Sequence, residues 1–115
     1  MKIHEMKLLK EPYGEIKAGR KNVEMRLYDE KRRRISAGDT LVFTCPLTPG
    51  ENITAKVRGV YIYEDFLSLA KSYEPRALGF DGAAAEYIAE FMLNIYGREA
   101  VKKHGVCAIL LEKEK

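Results

Sequence analysis

Three charged residues of mixed sign, Lys21, Glu24 and Arg26, lie within six positions of one another, directly after Gly19. Hydrophobic side chains occupy alternate positions from 23 to 27, which predicts a strand with one apolar and one polar face. Same-face side chains on a strand are roughly 6.6–7 Å apart, so Glu24 and Arg26 can pair or hold a ligand between them. Lys21 is three positions before Glu24, so along a regular strand its side chain would point to the other face. It reaches the face of Glu24 only if the backbone twists where the strand begins, which Gly19 would permit.

Each of these side chains has a chemistry of its own. Lys21 suits an anionic oxygen and, if partly desolvated beside Arg26, could act as a base or nucleophile. Glu24 could accept hydrogen bonds from a base edge or an amine, and Arg26 presents a planar fork for phosphate or carbonyl groups. Lys21 and Glu24 are therefore the catalytic candidates. The alternative is a solvated strand face whose surface ion pair contributes about 0–1 kcal/mol.

The spacing Gly-x-Lys-x-x-Glu-x-Arg formed by Gly19, Lys21, Glu24 and Arg26 resembles the signature of the ASCH domain family. A short helix before the motif and a Gly-Asp pair that opens a hydrophobic strand after it extend the resemblance over nearly the whole chain. It implies an α+β fold, a PUA-like mixed β-barrel of about five to six strands with helices packed outside. It also implies a charged cleft near the motif that binds RNA or a nucleotide.

Within this family, the segment is also similar to that of small bacterial acetylcytidine amidohydrolases. In those enzymes a lysine and a threonine of the motif act with a later glutamate. Lys21 matches the lysine, Glu24 stands where threonine is expected, and Asp81 is the nearest acidic match for the later residue. This resemblance implies a hydrolase acting on a modified nucleoside, with RNA phosphodiesters as another substrate class. Asp81 also suits the structural role of capping the helix that follows it.

Four consecutive cations, Lys31 to Arg34, follow the motif strand. They are costly to bury, so an exposed helical turn is predicted from 29 to 34. The run is either a solvated surface or a contact for phosphate. Arg32 and Arg33 of this run, together with Tyr28 before it, are three further candidate ligand-binding residues.

Aromatic side chains could stack a nucleobase, an interaction that contributes about 1–3 kcal/mol per base. The alternative is that each is an ordinary core or rim residue. The candidates are Tyr28, Tyr61, Tyr63 and Phe80.

The 115 residues, 46% of them hydrophobic, predict one domain spanning 1–115. A net charge of +3 permits contact with nucleic acid without requiring it. Cys45 and Cys107 are predicted to be buried and reduced, and with His4 and His104 far apart in sequence no metal or other cofactor is expected. His4 is interpreted as structural. No signal peptide or membrane span is predicted, so a cytoplasmic location is expected.

Hydrophobic periodicity and turn residues predict a mixed order of strands and helices. Asp65 is expected to cap a helix, and Gly59 to mark a bulge in a strand whose inner face includes Ile53 and Tyr61. The apolar stripe of the longest helix is interpreted as core packing. The predicted strands are 3–9, 21–28, 40–45, 53–63 and 106–111, and the predicted helices 13–18, 29–34, 66–70, 83–96 and 98–103.

Overall fold

The computed structural model describes residues 1–114. Strands and helices follow one another as the sequence predicts, but several bounds differ. The first strand ends two residues sooner than expected and the first helix begins three residues earlier, while the longest helix begins two residues later and the last strand extends further. The elements are β1 (Ile3–Lys7), α1 (Lys10–Lys17), β2 (Val23–Leu27), α2 (Glu30–Arg33), β3 (Thr40–Thr44), β4 (Ile53–Tyr63), α3 (Phe66–Ala70), α4 (Ala85–Tyr96), α5 (Arg98–His104) and β5 (Val106–Lys113).

The strands form a single curled sheet in the order β1-β3-β4-β5-β2. β1 runs parallel to β3, and the other neighbours are antiparallel. β1 and β2 are the two edges, and no ladder in the described residues joins them. The predicted α+β fold is confirmed, as a half-barrel of five strands with helices packed against it.

Two hydrophobic cores lie on opposite faces of this sheet. One gathers Phe43 and Ile109 with Tyr13 and Ile16 of α1. The other packs β2 and β5 against α3, α4 and α5. In β2, the apolar residues of the predicted alternation belong to this second core, so Glu24 and Arg26 point to the opposite side.

The bulge expected near Gly59 is present. Val57 pairs with Leu111 but Gly59 pairs with Leu110, so one extra residue interrupts the ladder between β4 and β5. An extra residue inverts the facing of every later side chain. Val60 consequently packs on the first core, while Tyr61 is 52% exposed. The prediction that Tyr61 shares a face with Ile53 is wrong for this reason.

Asp65 caps α3 as predicted, since its carboxylate accepts a hydrogen bond from the Ser68 amide. Asp81 does not cap α4, which begins after Ala84 and has no side-chain cap. No helix within residues 1–114 is long and apolar enough to cross a bilayer. The same residues contain no cluster of three or more His, Cys, Asp or Glu that could hold a metal ion.

Candidate functional site

The chain turns sharply between α1 and β2, and this turn positions Lys21. The Lys21 amide donates to the Glu15 carbonyl over 3.1 Å, and the amides of Asn22 and Val23 both donate to the Ala77 carbonyl over 3.0 Å. Lys21 thus precedes the strand, so the alternation of side chains along β2 does not set the direction of its side chain. Its ammonium lies 2.8 Å from a carboxylate oxygen of Glu24.

Glu24 lies between two cations. One of its oxygens faces Lys21, and the other accepts a hydrogen bond from the Arg26 Nε over 2.6 Å. The Glu24 residue is only 3% exposed and Lys21 only 7%. Burial alone would raise the pKa of Glu24, but the charges and hydrogen bonds of Lys21 and Arg26 outweigh it and hold that pKa below its usual value. Glu24 is therefore ionised at neutral pH.

Arg26 connects the two edges of the sheet. Its Nε binds Glu24, while its Nη2 donates to the backbone carbonyl of Lys7 over 3.1 Å. Lys7 ends β1, so this guanidinium crosses the gap that the half-barrel leaves between β1 and β2. Arg26 makes the two contacts with different nitrogens of one planar fork, a geometry that the single nitrogen of a lysine does not offer.

A cavity of about 490 Å³ opens at this gap. Its ionisable lining residues other than Tyr96 are three cations and two carboxylates, which gives a net charge of +1. The remaining lining is almost entirely apolar or aromatic. The charged residues are Lys7, Glu11, Lys21, Glu24 and Arg26, and the others are Leu8, Leu9, Pro12, Met25, Leu78, Gly79, Phe80, Phe91, Met92, Ile95 and Tyr96.

One wall of the cavity comes from α4. Phe91 is 45% exposed and Ile95 56%, whereas Ile88 and Met92 of the same helix are buried in the core. Phe80 packs edge-on against Phe91, with ring centroids 5.1 Å apart. The interpretation of the whole α4 stripe as core is therefore wrong, because the stripe is wider than the face that the sheet can cover.

Comparison with known proteins identifies the family and agrees with the fold. The family model described as ASCH domain matches residues 6–115. The chain belongs to the ASCH domain family. No curated protein matches the sequence. Among solved structures, the crystal structure of hypothetical protein PH0355 is similar, with 33% identity, a TM-score of 0.86, and coverage of 99% of this chain and 100% of that one. The solution structure of protein PF0455 from Pyrococcus furiosus has 30% identity and a TM-score of 0.73, over 100% of this chain and 99% of that one.

In this ASCH domain, the other predicted ligand-binding residues lie on α2 (Arg32 and Arg33) or just before it (Tyr28), and none of them lines the cavity. Arg32 binds the Asp29 carboxylate over 3.1 Å and is largely buried, which corrects the prediction that the whole cation run is exposed. The Arg33 guanidinium lies 4.4 Å from the centre of the Tyr28 ring, a cation–π arrangement. The Tyr28 ring is thus already in contact on one face.

The remaining candidates are dispersed over the ASCH domain. Phe80 lines the cavity, but Tyr61, Tyr63 and Asp81 do not. The Tyr63 hydroxyl is hydrogen-bonded to that of Tyr73 over 2.9 Å, away from this lining. Asp81 is exposed.

His4 and the cysteines have structural surroundings. The His4 Nε2 lies 2.9 Å from an Asp39 carboxylate oxygen. That contact, with the Ser36 and Lys2 amides, lowers the pKa of Asp39 to about 2. Both cysteines are free and buried, as predicted, and burial raises the pKa of the Cys107 thiol to about 12, which makes it a poor nucleophile.

Sequence reasoning missed Gly79, Phe91, Ile95 and Tyr96 as lining residues of the ASCH domain cavity. The available signal was the width of the α4 stripe, which exceeds what one packed face requires. Nothing in the sequence indicates that the loop containing Gly79 folds against Lys21.

Proposed function

We propose that this ASCH domain binds RNA or a nucleotide, with a base in the cavity beside Lys21, Glu24 and Arg26. The observation that supports the proposal most directly is the buried triad of charges at the edge of an apolar cavity. Ligand sites combine these two properties, with volumes of about 300–1,000 Å³.

A purely structural role accounts poorly for the triad. Burying charges carries a desolvation cost that their mutual attraction often fails to exceed, so well-packed hydrophobic residues would stabilise the fold at least as well. The neighbouring inward positions of β5, Cys107 and Ile109, are hydrophobic. A charged group retained among them favours a binding role.

The polar groups define what the ligand must present. Both Glu24 oxygens are engaged by cations, while Lys21 and Arg26 have N–H groups beyond those used in these contacts. The site therefore offers mainly donors, and the lining carries a net positive charge. Carbonyl oxygens of a base or an anionic phosphate oxygen match it, and the Phe80–Phe91 pair provides aromatic surface for the ring of a base.

RNA extending from the cavity would pass close to α2. β2, which carries Glu24 and Arg26, ends at Leu27, and α2 begins at Glu30, so α2 follows directly from the strand that borders the cavity. We include Tyr28, Arg32 and Arg33 as contacts for this extension. Arg33 is exposed and stacked on Tyr28, which leaves its guanidinium edge open to a phosphate.

Titration of the purified domain with nucleoside 5′-monophosphates and short single-stranded RNA tests the proposal. Lys21→Met and Arg26→Gln should each weaken binding at least about tenfold, since a hydrogen bond to a charged group contributes roughly 1.5–3 kcal/mol. Lys17→Met and Arg58→Gln are matched controls, because both residues form exposed ion pairs outside the cavity. The proposal would be contradicted if the control variants lost as much affinity as the cavity variants, or if the domain bound no ligand at low salt.

The alternative is a small hydrolase acting on a modified nucleoside, in the manner of the acetylcytidine amidohydrolases, or on RNA phosphodiesters. The 2.8 Å contact between Lys21 and Glu24 favours it. Against it, the lowered pKa of Glu24 makes this carboxylate a weak general base, since an efficient base has a pKa near the working pH.

Incubation with acetylated cytidine and with RNA oligomers separates the two functions. Product formation abolished by Lys21→Ala and Glu24→Ala would establish the enzyme, with Asp81→Ala as a test of the third candidate. Binding without turnover would favour the binding domain.

A further inference from the structure

Gly79 contacts the side chain of Lys21, and its position leaves no space for a larger residue. A methyl group at Gly79 would lie 2.9 Å from the Lys21 Cδ, closer than real Cβ contacts occur. The Gly79 backbone has φ +89°, a conformation that L side chains rarely adopt. The loop thus presents bare backbone to the aliphatic part of Lys21.

Neither backbone can easily withdraw. Gly79 follows Leu78, which is completely buried, and the Ala77 carbonyl receives hydrogen bonds from Asn22 and Val23. The Gly79 amide donates to the Arg76 carbonyl over 3.0 Å. On the other side, the Lys21 amide is held by the Glu15 carbonyl. A larger side chain at position 79 must therefore be accommodated by rotation about the side-chain bonds of Lys21.

We propose that Gly79 is a positioning residue for the site: it directs the Lys21 chain so that its ammonium reaches Glu24. Lys21 needs such guidance because it precedes β2 and its direction is not set by the strand. The consequence for ligand binding rests on the proposed function, whereas the positioning of Lys21 does not.

The chain offers a matched control in the same loop. Gly82 has φ +80°, close to that of Gly79, but a methyl group there would meet no atom within 4 Å. Gly79→Ala and Gly82→Ala should thus share the backbone penalty, and only Gly79→Ala should disturb Lys21.

The first measurement is the reactivity of each lysine toward an amine-acetylating reagent, followed by peptide mass spectrometry. In the unchanged protein, Lys21 should react slowly, because it is buried and paired. Gly79→Ala should increase the Lys21 rate about fivefold or more relative to exposed Lys31, whereas Gly82→Ala should change it less than twofold. Equal rates in Gly79→Ala and the unchanged protein, or equal increases in both variants, would overturn the proposal.

The second measurement is a double-mutant cycle on the melting temperature. Lys21→Ala removes the Cδ that the new methyl group meets, so the decrease in Tm caused by Gly79→Ala should shrink in that background to the decrease caused by Gly82→Ala. If Gly79→Ala alone does not fold, Lys21→Ala/Gly79→Ala should melt at the same temperature as Lys21→Ala/Gly82→Ala, which shares the loss of the Lys21 charge. A clearly lower Tm of Lys21→Ala/Gly79→Ala contradicts the contact.

Nucleotide titration then separates this inference from the proposed function. Gly79→Ala should weaken binding of a nucleoside 5′-monophosphate about tenfold, and Gly82→Ala less than twofold. Faster acetylation of Lys21 with no nucleotide binding by any form would support the role of Gly79 and reject the proposed function. Nucleotide binding that depends on Lys21, together with unchanged acetylation in Gly79→Ala, would do the reverse.

Discussion

The Lys21 ammonium lies 2.8 Å from the Glu24 carboxylate although Lys21 stands two residues before β2 begins. The contact depends on the turn after α1 and on the loop at Gly79, not on strand geometry. Arg26 completes the arrangement from within the strand and extends it to β1. The Lys21, Glu24 and Arg26 side chains are therefore held together by the turn after α1, the strand β2 and the loop at Gly79.

Glu24→Gln should destabilise the domain by about 3–5 kcal/mol, because it leaves two largely buried cations without their counter-ion. Equilibrium denaturation with urea measures the change. Glu112→Gln removes the partner of Arg58 in an exposed pair, and it should cost no more than about 1 kcal/mol. Similar losses in the two variants would show that the triad is solvated in solution.

Arg26→Lys should weaken the connection between the edges of the sheet while keeping the charge. The lysine can reach Glu24 or the Lys7 carbonyl but not both, so the loss in stability should be about 1–3 kcal/mol. Amide hydrogen exchange should become faster at residues 7–9, where β1 ends. Arg58→Lys, at an exposed pair, should leave that exchange unchanged.

Phe91→Ala should reduce nucleotide affinity with little effect on folding, because Phe91 lines the cavity and is 45% exposed. Loss of one stacking surface corresponds to about 1–3 kcal/mol of binding energy, measurable by calorimetry. Tyr87→Ala is the control, since Tyr87 is an exposed aromatic of the same helix outside the cavity lining. A greater loss in Tyr87→Ala would place the ligand elsewhere.

Arg33→Gln should weaken RNA binding but not mononucleotide binding, since α2 lies outside the cavity. If Arg33 neutralises one phosphate of a single strand, the slope of log K against log salt concentration should become shallower by about 0.7. Binding measured at several salt concentrations gives this slope. An unchanged slope would remove Arg33 from the interface.

Acid should destabilise the domain through Asp39. Its pKa falls from 3.8 to about 2 on folding, so the unfolded chain binds the proton more readily. The stabilisation is complete above the unfolded value and is lost as pH falls from near 4 to near 2, to a total of about 2 kcal/mol. Denaturation curves across this range should show a smaller decrease in Asp39→Asn. Asp81→Asn, at an exposed carboxylate, should behave like the unchanged protein.

The sequence predicted the elements and the sheet class well, because alternation, capping residues and turn glycines are local properties. Asp65 and the Gly59 bulge illustrate this. The facing of Tyr61 was wrong for a related reason, since the extra residue of the bulge inverts the pattern after it and the pattern alone does not say where the inversion occurs.

The site was predictable only in its motif. Lys21, Glu24 and Arg26 are close in sequence, so their proximity could be predicted, whereas the direction of the Lys21 side chain depends on the turn after α1 and on the loop at Gly79. The rest of the lining depends on tertiary packing. Phe91 and Ile95 look like core residues until the width of the sheet is known, and Gly79 lies almost sixty positions from Lys21. The prediction for Arg32 failed in the opposite direction, since this residue was expected to be exposed and is largely buried. Its neighbour Asp29 provides a partner that a run of four cations does not suggest.

The gap between the sheet edges β1 and β2, here called the seam, has an evolutionary consequence. Residues that border it can change size or polarity without breaking a β-ladder, because no ladder within residues 1–114 joins β1 to β2. Such a border lets substitutions alter what the cavity accepts while the five paired strands continue to maintain the fold. Diversification of ligand preference among domains of this architecture should therefore concentrate along the seam and on the exposed side of α4.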